Sequence, residues 1–222
     1  DFYQPQAIAA AKGTGPKQCI LYVANTKDDG QTVIVVLQID VKGVLLIETR
    51  LQEVHVPVGS LSSLCIYNNF LHMASYSDDG GIFKVQLESP KLSGPVVNVV
   101  TNGSNTISKV HGLAVYGDDL VFTDSDRNVV CKLHEDGSTC LIAGEYDKSG
   151  YRDGKSGLLA QPLALCVDSE TIYLVDTATA SLRIIVPSHA MIQFLSNLDK
   201  LGQVYSFSLS EKIDLTTAEA CA

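Results

Sequence analysis

Four times along the chain an apolar run ends in a small polar or acidic cluster. The runs are ILYVANTKD (20–28), LHMASYSDD (71–79), LVFTDSDRN (120–128) and IYLVDTATA (172–180). Aligned on Asn25, Ser75, Asp124 and Asp176, they recur at steps of 50, 49 and 52 residues. Each is preceded by a shorter apolar segment: QAIAAA (6–11), SLCIYN (63–68), GLAVYG (112–117) and LALCVD (163–168). Each is followed by another: TVIVVLQID, GIFKVQLES, NVVCKLHED and ASLRIIVP. The first three units add a fourth, GVLLIET, GPVVNVV and STCLIAG.

These segments are short, rich in Val, Ile, Leu and Tyr, and bounded by turn residues, so they read as β-strands. Asp29-Gly30, Asp79-Gly80 and Asp136-Gly137 are pairs that tolerate the positive φ of tight hairpins, and Lys42-Gly43 and Tyr116-Gly117-Asp118-Asp119 mark further turns. Four antiparallel strands repeated about every 50 residues predict an all-β protein built as a β-propeller. A lone four-stranded blade cannot cover both its faces, so neighbouring blades must bury them around a shared axis. The repeat places the propeller in residues 1–187, with blades at about 5–52, 61–101, 110–143 and 160–187. The competing architecture is a β-sandwich with regular strand spacing.

Residues 143–185 resemble the NHL-repeat family. Ala143-Gly144 is followed by a Gly-rich loop with Asp153-Gly154, then by Ala160 and Pro162 entering the innermost strand. Tyr173, Asp176-Thr177 and Leu182-Arg183-Ile184-Ile185 complete the pattern, with Ala178 and Thr179 where an Asn is usual. The third unit, LVFTDSDRNVVCKLHEDGSTCLI, also resembles YWTD-type propellers of receptor ectodomains. The resemblance implies a six-bladed ring, whereas this chain has room for four blades. An open four-blade arc would expose apolar faces. Completion by another polypeptide, or by another part of the same precursor, is the expectation.

From residue 188 the rhythm changes. Met191, Phe194, Leu195, Leu198 and Leu201 fall at helical spacing, with Ser188 or His189 at the start and Gly202 as a stop. Thr216-Thr217-Ala218-Glu219 resembles a capping box. Residues 188–222 are therefore expected to form a helical C-terminal extension, with the polypeptide continuing beyond it.

Composition narrows the function classes. The 222 residues are 45% hydrophobic and carry a net charge of −9, with an isoelectric point near 4.9. Phosphate neutralisation needs Lys and Arg, so this balance argues against nucleic-acid binding. No apolar run is long enough to span a bilayer. The chain starts at Asp1 without Met, as a processed or excised polypeptide would. Asn102-Gly103-Ser104 is a glycosylation sequon. Together with the receptor-like third unit, these features lean towards an extracellular setting.

Candidate chemistry is sparse. Asp124 and Asp176, like Asn25 and Ser75, recur with the blades and read as structural ties, with Arg127 and Arg183 as local partners. Tyr76, Asp78, Asp79, Tyr146, Tyr151, Arg152 and Asp153 place aromatic and charged groups in loops and suit protein recognition. With Asp126, the same acids are oxygen donors of the kind calcium takes, although no contiguous Ca²⁺ loop is present; no cofactor is expected. Cys131 and Cys140 flank the Asp136-Gly137 turn, and a small register change would bring them within disulfide reach. Cys65 and Cys166 read as small buried hydrophobes of innermost strands, and Cys221 as a thiol whose partner, if any, lies outside the chain.

His55, His72, His111, His134 and His189 fall at unrelated repeat positions, and only His111 leads into an innermost strand. No nucleophile elbow or phosphate loop is present. The reading is a non-catalytic scaffold for protein binding or assembly. The alternative is a metal-dependent hydrolase or lyase with an axial site, as some six-bladed propellers are.

Overall fold

The computed structural model describes residues 2–42, 45–101, 107–155, 157–186 and 203–208. Four sheets of four strands follow one another along the chain. Blade 1 contains β1 (Gln4–Lys12), β2 (Gln18–Thr26), β3 (Thr32–Lys42) and β4 (Leu45–Val56). Blade 2 contains β5 (Leu61–Tyr67), β6 (Phe70–Ser75), β7 (Gly81–Glu88) and β8 (Lys91–Thr101). Blade 3 contains β9 (Val110–Tyr116), β10 (Asp119–Asp124), β11 (Val129–Leu133) and β12 (Thr139–Gly144). Blade 4 contains β13 (Pro162–Asp168), β14 (Thr171–Asp176), β15 (Ser181–Val186) and β16 (Gln203–Ser208). Each sheet is a simple antiparallel meander in chain order, so every blade needs only hairpin turns.

Blade 4 corrects the expected extension. Gln203–Ser208 pairs antiparallel with β15, from Ser181↔Ser208 to Val186↔Gln203. The propeller therefore reaches beyond residue 187, and this stretch is strand. The two helices expected at 188–202 and 216–222 lie outside the described residues, as do the sequon at Asn102 and the turn at Gly43.

The innermost strands stand side by side: β1 beside β5, β5 beside β9, β9 beside β13. No comparable contact joins β13 to β1 among the described residues. Apolar clusters fill the seams. Ile20, Tyr22, Ile34 and Val36 of blade 1 pack on Leu64, Leu71, Met73 and Phe83 of blade 2. Ala74 and Ile82 pack on Leu113, Phe122 and Cys131, and Val121 and Val130 pack on Leu159, Leu174 and Ile185. This is the face-to-face burial that the repeat demands.

Polar bridges stitch the same seams. Gln6 accepts the Leu61 N–H at 3.0 Å, the Ser62 hydroxyl donates to the His111 carbonyl at 2.7 Å, and the Thr123 hydroxyl donates to the Leu163 carbonyl at 2.6 Å. Two of the three expected Asp-Gly turns have their glycine at positive φ, Gly30 at 80° and Gly137 at 84°. At the third, Gly81 takes that conformation (φ 137°). Gly80 is small for another reason: a Cβ there would lie 2.5 Å from the Ser75 carbonyl oxygen.

Candidate functional site

The four aligned positions do the same work in every blade. Each stands at the end of the second strand, Asn25 one residue before its last, and ties it to the segment entering the innermost strand of its own blade. Asn25 Oδ1 accepts the Tyr3 N–H at 3.0 Å. Ser75 Oγ donates to the Ser60 carbonyl at 2.9 Å. Asp124 accepts the N–H groups of Ser108 (2.6 Å), Lys109 (3.1 Å) and Arg127 (3.2 Å). Asp176 accepts the Ala160 N–H at 2.7 Å. All four side chains are buried. Burial pushes the carboxyls of Asp124 and Asp176 above the usual carboxylate range, and the donated N–H groups oppose that rise.

The two arginines differ. Arg127 reaches Asp124 through its backbone N–H, while its guanidinium pairs with Asp147 and lies 4.5 Å from the Tyr146 ring centre. Arg183 is fully buried. Its Nη1 donates to Asp176 Oδ2 at 3.0 Å and to the Leu158 carbonyl at 2.9 Å. Its Nη2 donates to the Arg152 carbonyl at 2.9 Å and to Asp153 Oδ1 at 3.0 Å. The guanidinium thus pins the long connector between blades 3 and 4 from below, with the Tyr151 ring centre 5.0 Å away.

Tyr76, Asp78, Asp79, Tyr146, Tyr151, Arg152 and Asp153 all leave the blades at the end where second strands finish, and all are exposed. The structure therefore brings these seven residues to one rim. Asp153 also serves the buried arginine, a role that its loop position did not disclose. Tyr76 stacks on His111, with ring centres 5.0 Å apart and planes 10° from parallel. Burial holds the half-buried His111 below its ordinary pKa. His111 also lines a cavity of about 200 Å³ with Ser62, Ser63 and Leu163 beside the innermost strands. Among the described residues no three His, Cys, Asp or Glu side chains gather as a metal-ligand set.

The cysteines depart from expectation. Cys140 pairs with Lys132 and Cys131 with Leu141, because the hairpin turn sets Leu133 opposite Thr139 rather than Cys140. The two thiols point to opposite faces, so no disulfide joins them; Cys131 is buried and Cys140 exposed. Cys65 is packed between blades 2 and 3, and burial raises its thiol to about 12. Cys166, by contrast, is exposed. It shares a row with Tyr173 and Ile184 on the face of blade 4 turned away from blade 3. Val175 and Leu182 form the adjacent row. Tyr173 is 39% exposed, and Ile8 on the far face of blade 1 is 60% exposed. This apolar sheet face was hidden in the sequence, because a strand buried on both sides and one buried on one side share the same apolar content here.

No family model and no curated protein matches the chain. Solved structures do resemble it. A Bacteroides fragilis protein that carries the name of a 6-phosphogluconolactonase aligns with TM-score 0.57 at 14% identity, over 96% of this chain and 58% of its own. Virginiamycin B lyase from Staphylococcus aureus aligns with TM-score 0.55 at 13% identity, over 93% and 56%. A Bacteroides thetaiotaomicron protein of unknown function aligns with TM-score 0.53 at 17% identity, over 92% and 57%. The chain thus spans somewhat more than half the length of the structures it resembles. At such identities the likeness establishes architecture alone: this is an all-β chain of four four-stranded blades in a propeller arrangement.

Proposed function

We propose that the chain is a non-catalytic binding and assembly module. Its open blade face is covered by further propeller blades, from another polypeptide or from another part of the same precursor. The observation that carries this reading is the row Cys166, Tyr173 and Ile184 on blade 4, in which Cys166 and Tyr173 stand exposed on the surface that every other seam buries against a following blade. Two supports stand beside it. Among the described residues no contact comparable to the other seams joins β13 to β1. At the same length per blade, the uncovered share of the similar structures corresponds to about three blades. The NHL-like segment at 143–185 fits the same role.

The rim of Tyr76, Tyr146, Tyr151 and Arg152 is the surface such an assembly offers to a protein partner. Aromatic and arginine side chains over a pinned loop give contact area at little entropic cost. Sedimentation and native mass measurement test the proposal. The wild-type chain should associate, or expose apolar surface to a reporter dye, and Tyr173→Glu should abolish association. A stable monomer without dye binding would refute it. Stoichiometric zinc or calcium in the purified chain would favour the hydrolase or lyase alternative instead.

A further inference from the structure

The repeat has one more departure. Three residues before each tie position stand Tyr22, His72, Val121 and Tyr173, and their cross-strand partners on the third strands are Val36, Lys84, Lys132 and Ile184. Only blade 2 places a histidine and a lysine together there. His72 is 6% exposed, in a seam that is apolar nearer the rim. Its Nδ1 has no partner in hydrogen-bonding geometry, although the Phe70 backbone is close enough to influence the ring. The half-buried Lys84 ammonium lies 4.7 Å from the Phe70 ring centre and has no carboxylate partner among the described residues. In blade 3, Lys132 is paired with Asp119 at 3.2 Å.

These groups border a cavity of about 240 Å³ between blades 2 and 3, at the end opposite the rim. Leu120 and Leu133 supply the apolar wall. Asp119 also lines it, but its charge is met by Lys132 and by His134 Nδ1 at 2.9 Å. Glu135 sits exposed at the mouth, accepting the Asn68 amide. The cavity is therefore bordered by one cation without a carboxylate partner among the described residues, by the His72 ring and by an apolar wall. A cavity of about 150 Å³ already admits a benzene ring.

We propose that this cleft binds a small monocarboxylate with an apolar body. The carboxylate pairs with Lys84 and takes a hydrogen bond from His72, and the body lies against Phe70 and Leu120. A charge-assisted pair in a partly desolvated cleft is the interaction that Lys84 lacks in the unliganded chain.

Benzoate is the probe, and benzylamine, with the same ring and opposite charge, is its control. In the full chain, benzoate should shift the His72 imidazole resonances and raise the melting temperature, and benzylamine should do neither. Lys84→Met, which keeps the stem, should weaken benzoate about tenfold. Absence of benzoate binding, equal response to benzylamine, or full affinity in the variant would each overturn the proposal. The two-probe comparison needs only the native chain and decides the matter even if the variant does not fold. Neither result bears on association through Tyr173.

Discussion

Asp176 and Arg183 meet at 3.0 Å with both side chains wholly out of solvent. The pair joins the second and third strands of blade 4, and the guanidinium carries the contact on to Leu158, Arg152 and Asp153. Removing one partner would strand a buried charge. Arg183→Met should therefore cost about 3–5 kcal/mol in urea unfolding. Adding Asp176→Asn should cost less than the sum of the single changes, since the same interaction would be counted twice.

Gly112 governs the seam between blades 3 and 4. A Cβ there would lie 2.6 Å from the Leu163 carbonyl oxygen and 2.9 Å from the Leu165 nitrogen. Both are backbone atoms of β13 and cannot swing aside. Gly112→Ala should destabilise by about 1–3 kcal/mol. Gly15→Ala, whose Cβ would meet only the Gln18 side chain at 3.6 Å or more, should change stability by less than about 0.5 kcal/mol. Thermal melts of the two variants make the comparison.

His72 should dominate one part of the acid limb. Burial, helped by the nearby Lys84 charge, lowers its pKa to about 4. In the unfolded chain the ring takes a proton near its ordinary 6.5, so between these values the unfolded state binds more protons. Stability should therefore fall as pH drops from about 6.5 to about 4, by about 3 kcal/mol in all. His72→Phe, matching the aromatic residues at Tyr22 and Tyr173, should flatten that stretch of the stability–pH curve measured by denaturant titration.

The thiols should separate by reactivity. Cys140 and Cys166 are exposed, whereas Cys131 is buried with its thiol raised to about 11. Iodoacetamide should alkylate the first two quickly and Cys131 slowly, as peptide mapping would show. Cys166 should become protected when the open face of blade 4 is covered. Protection of Cys166 without protection of Cys140 would locate the covering partner on that face.

Much of this fold was legible in the chain. The recurrence of Asn25, Ser75, Asp124 and Asp176 reports a backbone need: at each point a strand end must satisfy the N–H or carbonyl groups of the segment that enters the innermost strand of the same blade. The strand β16 was less legible. Tyr205 to Ser208 alternates as a strand should, but it follows a helically spaced stretch, and one four-residue alternation cannot outweigh that. The outcome at Cys131 and Cys140 turned on the hairpin turn, which sets Leu133 opposite Thr139 rather than Cys140; that one-residue difference exchanges the faces along the strand and leaves no mark in composition.

By itself the sequence determined the number of blades in this chain, the strand rhythm of the first three, and the positions where small or acidic side chains must lock them, because those are local demands of strand, turn and hydrogen bond. Only the tertiary structure decided which apolar faces are covered, which loops share a rim, and which charges stand alone. Those properties belong to neighbours brought together from 30 to 70 residues away, as in the reach of Arg183 to Asp153 and of Asn68 to Glu135, and periodicity along a chain does not specify the far side of a seam.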